Sequence, residues 1–149
     1  MNWKIGALAV SAAMGLAMTA QAEPWTDWTP VKGVTEVTTI KVDPNHIDDY
    51  LTGLSKDWVK GQEMAKRHGV IDRYFVAVKL NATGGPNIVL VQHYPSLANL
   101  EPDKARDQAM LAEARAAVSK DKEDAIVAGY DKYRTFVSDE FWTDVEYPK

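Results

Sequence analysis

The sequence predicts an α+β fold of element order β-α-β-β-α-β, with an antiparallel sheet and its helices on one face. Three observations predict it. A β-branched run, VTEVTTIKV, leads through Asp-Pro into a long stretch with apolar residues at helical spacing. Two further β-rich runs, DRYFVAVKL and IVLVQHY, flank a glycine-rich turn, NATGGPN. An alanine-rich helical region then precedes an alternating segment, DEFWTDVEY.

A leader stands in front of this domain. Lys4 and the amino terminus form a short positive region, and an uncharged, mostly apolar stretch runs from Ile5 to Ala20. Ala20-Gln21-Ala22 then places small residues where a signal peptidase reads them, the layout of a secretory signal peptide spanning residues 1–22. The alternative is an uncleaved anchor, but the stretch is short for a membrane span and rich in Ala and Gly rather than Leu. The expectation is an exported protein, periplasmic or secreted, with no membrane insertion after cleavage. Residues 23–33, with Trp25, Trp28 and two prolines, read as an irregular arm whose tryptophans pack over the domain edge. The domain proper is expected over residues 34–147.

Composition narrows the function classes. The 149 residues suit one domain beyond the leader. Net charge is −4, and removing the leader, whose counted charge is Lys4, makes it one unit more negative. A mildly acidic chain without a basic run does not suit nucleic acid, since phosphate binding needs clustered Lys or Arg. Cysteine is absent, which excludes disulfides, thiolate metal sites, a cysteine nucleophile and a lipidated cysteine. Stability must then come from an apolar core, and a 46% hydrophobic composition can supply one.

The elements follow in order. Val34 to Val42 is the first strand, free of Gly and Pro. Asp43 can cap the next helix and Pro44 suits its first position. That helix is expected from Pro44 to His68, with Ile47, Leu51, Leu54, Trp58 and Ala65 as its core stripe and Tyr50 and Met64 beside it. Gly69 stops it, while Gly53 and Gly61 inside it cost some helix stability, so one or the other is expected to mark a close approach of another backbone. Asp72 to Leu80 and Ile88 to Tyr94 form an antiparallel hairpin, which Pro95 ends. A short helical turn at Ser96 to Glu101 precedes a helix from Pro102 to Val118. The charge run Ser119 to Ala125 reads as a solvated break, with helix resuming to Tyr130 and a final strand over Asp139 to Tyr147. This is the ferredoxin-like order.

The hairpin has two faces. Tyr74, Val76, Val78 and Leu80 alternate with Arg73, Phe75, Ala77 and Lys79. Ile88, Leu90, Gln92 and Tyr94 alternate with Val89, Val91 and His93. Matching the most apolar sets puts Leu80 opposite Ile88, Tyr74 opposite Tyr94, and His93 opposite Phe75 with Arg73 nearby. Neither side is simply polar. An apolar sheet face away from the helices marks a partner surface or ligand groove. The economical expectation is a homodimer whose sheets pack face to face, with a cavity between each sheet and its own loops.

The strand order, the helix opening DPNHIDDYL and the passage VLVQHYPSLANLE resemble the dimeric α/β-barrel superfamily, over about Val34 to Tyr147. That group includes stress-responsive barrel proteins, antibiotic-biosynthesis-type monooxygenases and NIPSNAP-like or EthD-like proteins. The resemblance implies a homodimeric barrel. It also motivates an enzymatic alternative, a cofactor-independent monooxygenase or isomerase for a small aromatic substrate. Haem-degrading relatives carry an Asn, Trp and His set that cannot be placed here residue by residue.

Motifs of known chemistry are missing. There is no Gly-x-Ser-x-Gly elbow, TGGP lacks the phosphate-loop Lys, and His46, His68 and His93 form no His-x-x-x-His pair. No metal or cofactor is expected. His68 suits the helix C-terminus as a cation, and His46 reads as a surface residue. His93, on a strand with a defined face, is the candidate proton acceptor, with Tyr94 and Arg73 as partners that stabilise an enolate-like anion. Phe75, Tyr74 and Val91 are the candidate ligand contacts. The leading reading is a binder of a small apolar or aromatic molecule; a structural envelope protein without ligand is a further alternative.

Overall fold

The computed structural model describes residues 22–81, 84–130 and 132–149. The segment read as a signal peptide lies, but for Ala22, outside them. Strands and helices follow in the order β1 (Thr29–Pro30), β2 (Val34–Val42), α1 (Ile47–Lys56), α2 (Trp58–Arg67), β3 (Arg73–Val78), β4 (Ile88–Tyr94), α3 (Lys104–Ala117), α4 (Lys120–Tyr130), β5 (Arg134–Trp142) and β6 (Val145–Glu146). A 3-10 turn at Pro44–His46 precedes α1, and another at Leu97–Leu100 follows β4.

The main sheet has four strands in the order β3-β4-β2-β5, every neighbour antiparallel. β2 and β3 flank β4 and are joined through α1 and α2, which is the split β-α-β arrangement of the ferredoxin-like fold. The expected α+β class therefore holds. One chain makes an open sheet, not a closed barrel. No described helix is long and apolar enough to cross a membrane.

Residues directly opposite in an antiparallel pair share a face. Ile40 stands opposite Ile88, which stands opposite Val78, and Leu90 stands opposite Val76. This inner face meets the helices: Ile40, Val42, Ile88 and Leu90 cluster with Tyr50, Leu54 and Tyr130, and Ile47, Leu51, Trp58, Val76 and Tyr133 pack around them. Each such large apolar side chain contributes about 1.5–3 kcal/mol by leaving water. Tyr50, expected beside the stripe, sits at its centre with no exposed surface. The outer face carries Val37 opposite Val91, Val91 opposite Phe75, and Val89 opposite Ala77.

Five expectations need correction. Trp25, expected to pack over the domain edge, is 72% exposed. The hairpin register is shifted by two residues: Val78, not Leu80, pairs with Ile88, Tyr74 pairs with Gln92, and Arg73, not Phe75, faces His93. An even shift keeps every side chain on its face, so the hydrophobic pattern alone cannot detect it. The long helix is broken at Asp57, whose φ of −124° and ψ of −73° leave the helical region. Its carboxylate accepts from the Trp58 N–H and so competes with the helix ladder. The charge run is helical, within α4, because Lys, Glu and Ala favour helix; the break falls at extended Val118 instead. The last strand begins at Arg134, and DEFWTDVEY is divided between β5 and β6. β5 carries a bulge: Ser138 opposes Thr39 and Phe136 opposes Ile40, leaving Val137 as the extra residue.

Candidate functional site

His93 and Tyr94 are consecutive on β4 and therefore project to opposite faces. On the outer face, His93 is 8% exposed, and its Nδ1 lies 2.7 Å from the Asp72 carboxylate. Gly33 covers the far side of the ring. Its φ of +108° is a conformation few other residues adopt, and a β-carbon there would fall 2.6 Å from both His93 Nε2 and the Tyr94 carbonyl oxygen. Beside this pair, the Arg73 guanidinium donates to Asp144 Oδ2 at 2.8 Å, and Thr35 Oγ1 donates to Asp144 Oδ1 at 3.4 Å. The Val31 N–H donates to the Asp144 carbonyl, and β1 pairs with β6 just beyond. His93, Arg73, Asp72 and Asp144 thus form a clasp that fixes the N-terminal arm and the C-terminal tail to one end of the sheet. Gly33→Ala is expected to force His93 or the Tyr94 carbonyl aside. The expected loss is about 1–3 kcal/mol of stability, with faster amide exchange at Val31, read by urea unfolding and hydrogen exchange.

On the inner face, at the same end, three polar side chains meet where the helices do not fill the sheet. Glu36 stands opposite Gln92, and Tyr94 is the next inward residue of β4. The Tyr94 hydroxyl donates to Glu36 Oε2 at 2.7 Å, Gln92 Nε2 donates to the same oxygen, and Gln92 Nε2 also reaches the Tyr94 oxygen at 2.8 Å. Burial, then the hydrogen bond to Glu36, hold the Tyr94 phenol well above its ordinary pKa, so it stays a neutral donor. Both bonds use Oε2; Oε1 of Glu36 has no hydrogen bond among the described residues. Thr38 Oγ1 donates to Asp139 one pair further along, at 2.9 Å.

A groove of about 650 Å³ opens at the same end of the sheet, lined by neighbours of the trio rather than by the trio itself. Val34, Leu97, Leu100, Phe141 and Trp142 supply its apolar wall, with Gly33 at its rim. Val34 stands opposite Tyr94, and Phe141 stands opposite Glu36, so two residues of the groove wall are sheet neighbours of the trio. The sheet fixes the polar groups, while the 3-10 turn after Pro95 brings Leu97 and Leu100 to the groove wall.

The six residues singled out from sequence divide between the two faces. His93, Arg73, Phe75 and Val91 share the outer face, with Phe75 51% exposed and Val91 buried. Tyr94 and Tyr74 lie on the inner one, and the Tyr74 hydroxyl donates to Glu63 at 2.6 Å while its ring meets Trp58 edge-on at 5.5 Å. The three histidines do not converge: His46 pairs with Asp49, His68 with Glu113, and His93 with Asp72. Glu36 and Gln92 were missed as a site. Their signal was available, since a polar residue at an inward strand position needs a partner, but the partner is set by register.

No family model matches the chain, and no curated protein matches it. Among solved structures, it is similar to a dimeric ferredoxin-like protein from an uncultured marine organism. Identity is 17% and the TM-score 0.45, over 78% of this chain and 96% of that one. The fold assignment here rests on strand order and register.

Proposed function

We propose that the protein is an exported homodimer that binds a small apolar or aromatic molecule bearing one hydrogen-bond donor. The observation that carries the reading is an apolar groove whose wall residues Val34 and Phe141 pair with Tyr94 and Glu36, the latter a carboxylate that keeps an oxygen unused. The ligand's apolar body fits against Leu97, Leu100 and Phe141, and its donor meets Glu36 Oε1. Such a division between an apolar wall and a few fixed polar groups is the usual build of small-molecule sites. The second copy covers the outer sheet face, where Val37, Val89, Val91 and Phe75 adjoin. The reading assigns no reaction.

Native mass spectrometry of the protein purified from the periplasm tests it. The expected species is a dimer of chains that begin at Glu23, retaining a small molecule. A ligand-free monomer that keeps residues 1–22 overturns all three parts. Phe75→Glu, at a half-exposed position of the outer face, is expected to leave the monomer folded and to abolish the dimer at micromolar concentration in sedimentation velocity.

A further inference from the structure

α3 is held to the protein in an unusual way. None of its residues is buried. The partly covered positions Arg106, Met110, Glu113 and Ala114 form one stripe, and two of the four are charged. Apolar burial therefore contributes little to its position. Polar ties take its place, and they converge on the C-terminal end of α2. Arg67 and His68 both bond the Glu113 carboxylate, His68 Nε2 at 2.9 Å. Asn99, in the turn before α3, donates to the Gly69 carbonyl at 2.7 Å. Arg106 donates to the carbonyls of Asn99 at 3.3 Å and Glu101 at 2.9 Å, joining the first turns of α3 to that same segment.

The chain leaves the helical conformation sharply at both ends of α3. Glu101 and Asp103 before it, and Val118 after it, have extended backbone. Element-terminal residues of this kind are where hinges are usually found. The segment bonded to Arg106 also carries Leu97 and Leu100, which form the groove wall. We propose that α3 is a latched lever: the Arg67–His68–Glu113 contact holds it against α2, and its release displaces the Leu97–Leu100 wall and weakens ligand binding. The lever's effect on binding rests on the groove reading above; the latch itself does not. Exposed ion pairs are weak and screened by salt, so the open form is accessible without global unfolding.

Hydrogen exchange on the full chain, with and without Glu113→Gln, tests the latch. Amides of residues 108–117 are expected to exchange about three- to tenfold faster in E113Q, with β4 amides unchanged. Raising salt should accelerate the same amides in the parent and not in the variant. Unchanged α3 exchange, or acceleration shared by β4, overturns the latch. Binding of the neutral apolar dye N-phenylnaphthylamine tests the lever. E113Q is expected to weaken it at least about twofold, and Leu97→Asp to abolish it with α3 exchange at the parent rate. Faster exchange with unaltered dye affinity overturns the lever. A parent protein that binds no dye overturns the groove reading and the lever together, and the exchange data still decide the latch.

Discussion

Replacing Asn87 with alanine is expected to lower the unfolding free energy by about 3 kcal/mol. The residue closes the turn into β4 and is 5% exposed. Its Oδ1 accepts from the Val42 N–H at 2.8 Å, and its Nδ2 donates to the Val42 carbonyl at 2.8 Å. Its own N–H donates to the Ile40 carbonyl, and its carbonyl accepts from the Lys79 N–H. The side-chain amide thus acts as one more rung of the β2–β4 ladder just before β4 begins. Alanine leaves a donor and an acceptor of Val42 dry and unpaired, and each such group costs about 1–3 kcal/mol. Asn87→Asp should be worse near neutral pH, because a carboxylate would face the Val42 carbonyl in the interior. Urea unfolding of the three proteins checks the order; an alanine variant within about 0.5 kcal/mol of the parent would contradict the account.

The second large effect is at Gly53. A β-carbon there would meet the Tyr130 ring, falling 2.8 Å from its Cζ and closer still to its hydroxyl end. Helix propensity favours alanine over glycine by about 1 kcal/mol, so an open helical glycine should gain from the change. Overpacking costs about 1–3 kcal/mol. Tyr130 cannot yield cheaply: it is 4% exposed, edge-on to Tyr50 at 5.2 Å, with the Arg134 guanidinium 4.7 Å from its ring centre. Packing therefore wins, and Gly53→Ala is expected to lose about 1 kcal/mol, Gly53→Val more. Gly61 is the internal comparison, since a β-carbon added there would meet nothing within 4 Å. Gly61→Ala should gain up to about 1 kcal/mol. Midpoints of thermal unfolding for both alanine variants decide it, and a stabilised Gly53→Ala refutes the steric argument.

The two central strands were legible in the sequence because their ends are chemically marked. β2 lies between Gly33 and the Asp43-Pro44 cap, β4 between the glycine-rich turn and Pro95, and both were bounded correctly. The order of elements followed from the same punctuation. What stayed hidden depends on competition between side chain and backbone, or on sliding. Asp57 interrupts a stripe whose periodicity is otherwise continuous, since a local carboxylate bond leaves no trace in hydrophobic spacing. β5 starts after a turn in which the Tyr133 N–H donates to the Tyr130 carbonyl, and the one nearby signal, Gly129, falls within α4 before the turn. Register decides the candidate site: the pattern put Tyr94 and Gln92 on one face, and only the pairing of β2 with β4 brings Glu36 between them. Of the two glycines suspected inside the first helix, one is pressed by a neighbour and the other is not, which spacing cannot distinguish.

The bulge at Val137 has a consequence for solubility. β5 is an edge strand, with Phe136, Val137, Phe141 and Trp142 all more than half exposed. A flat edge with that composition would template another chain along its whole length. The extra residue breaks the repeat between Phe136 and Ser138, so an incoming strand that pairs on one side of it is out of step on the other. A single inserted residue is thus expected to hinder edge-to-edge pairing along this aromatic strand.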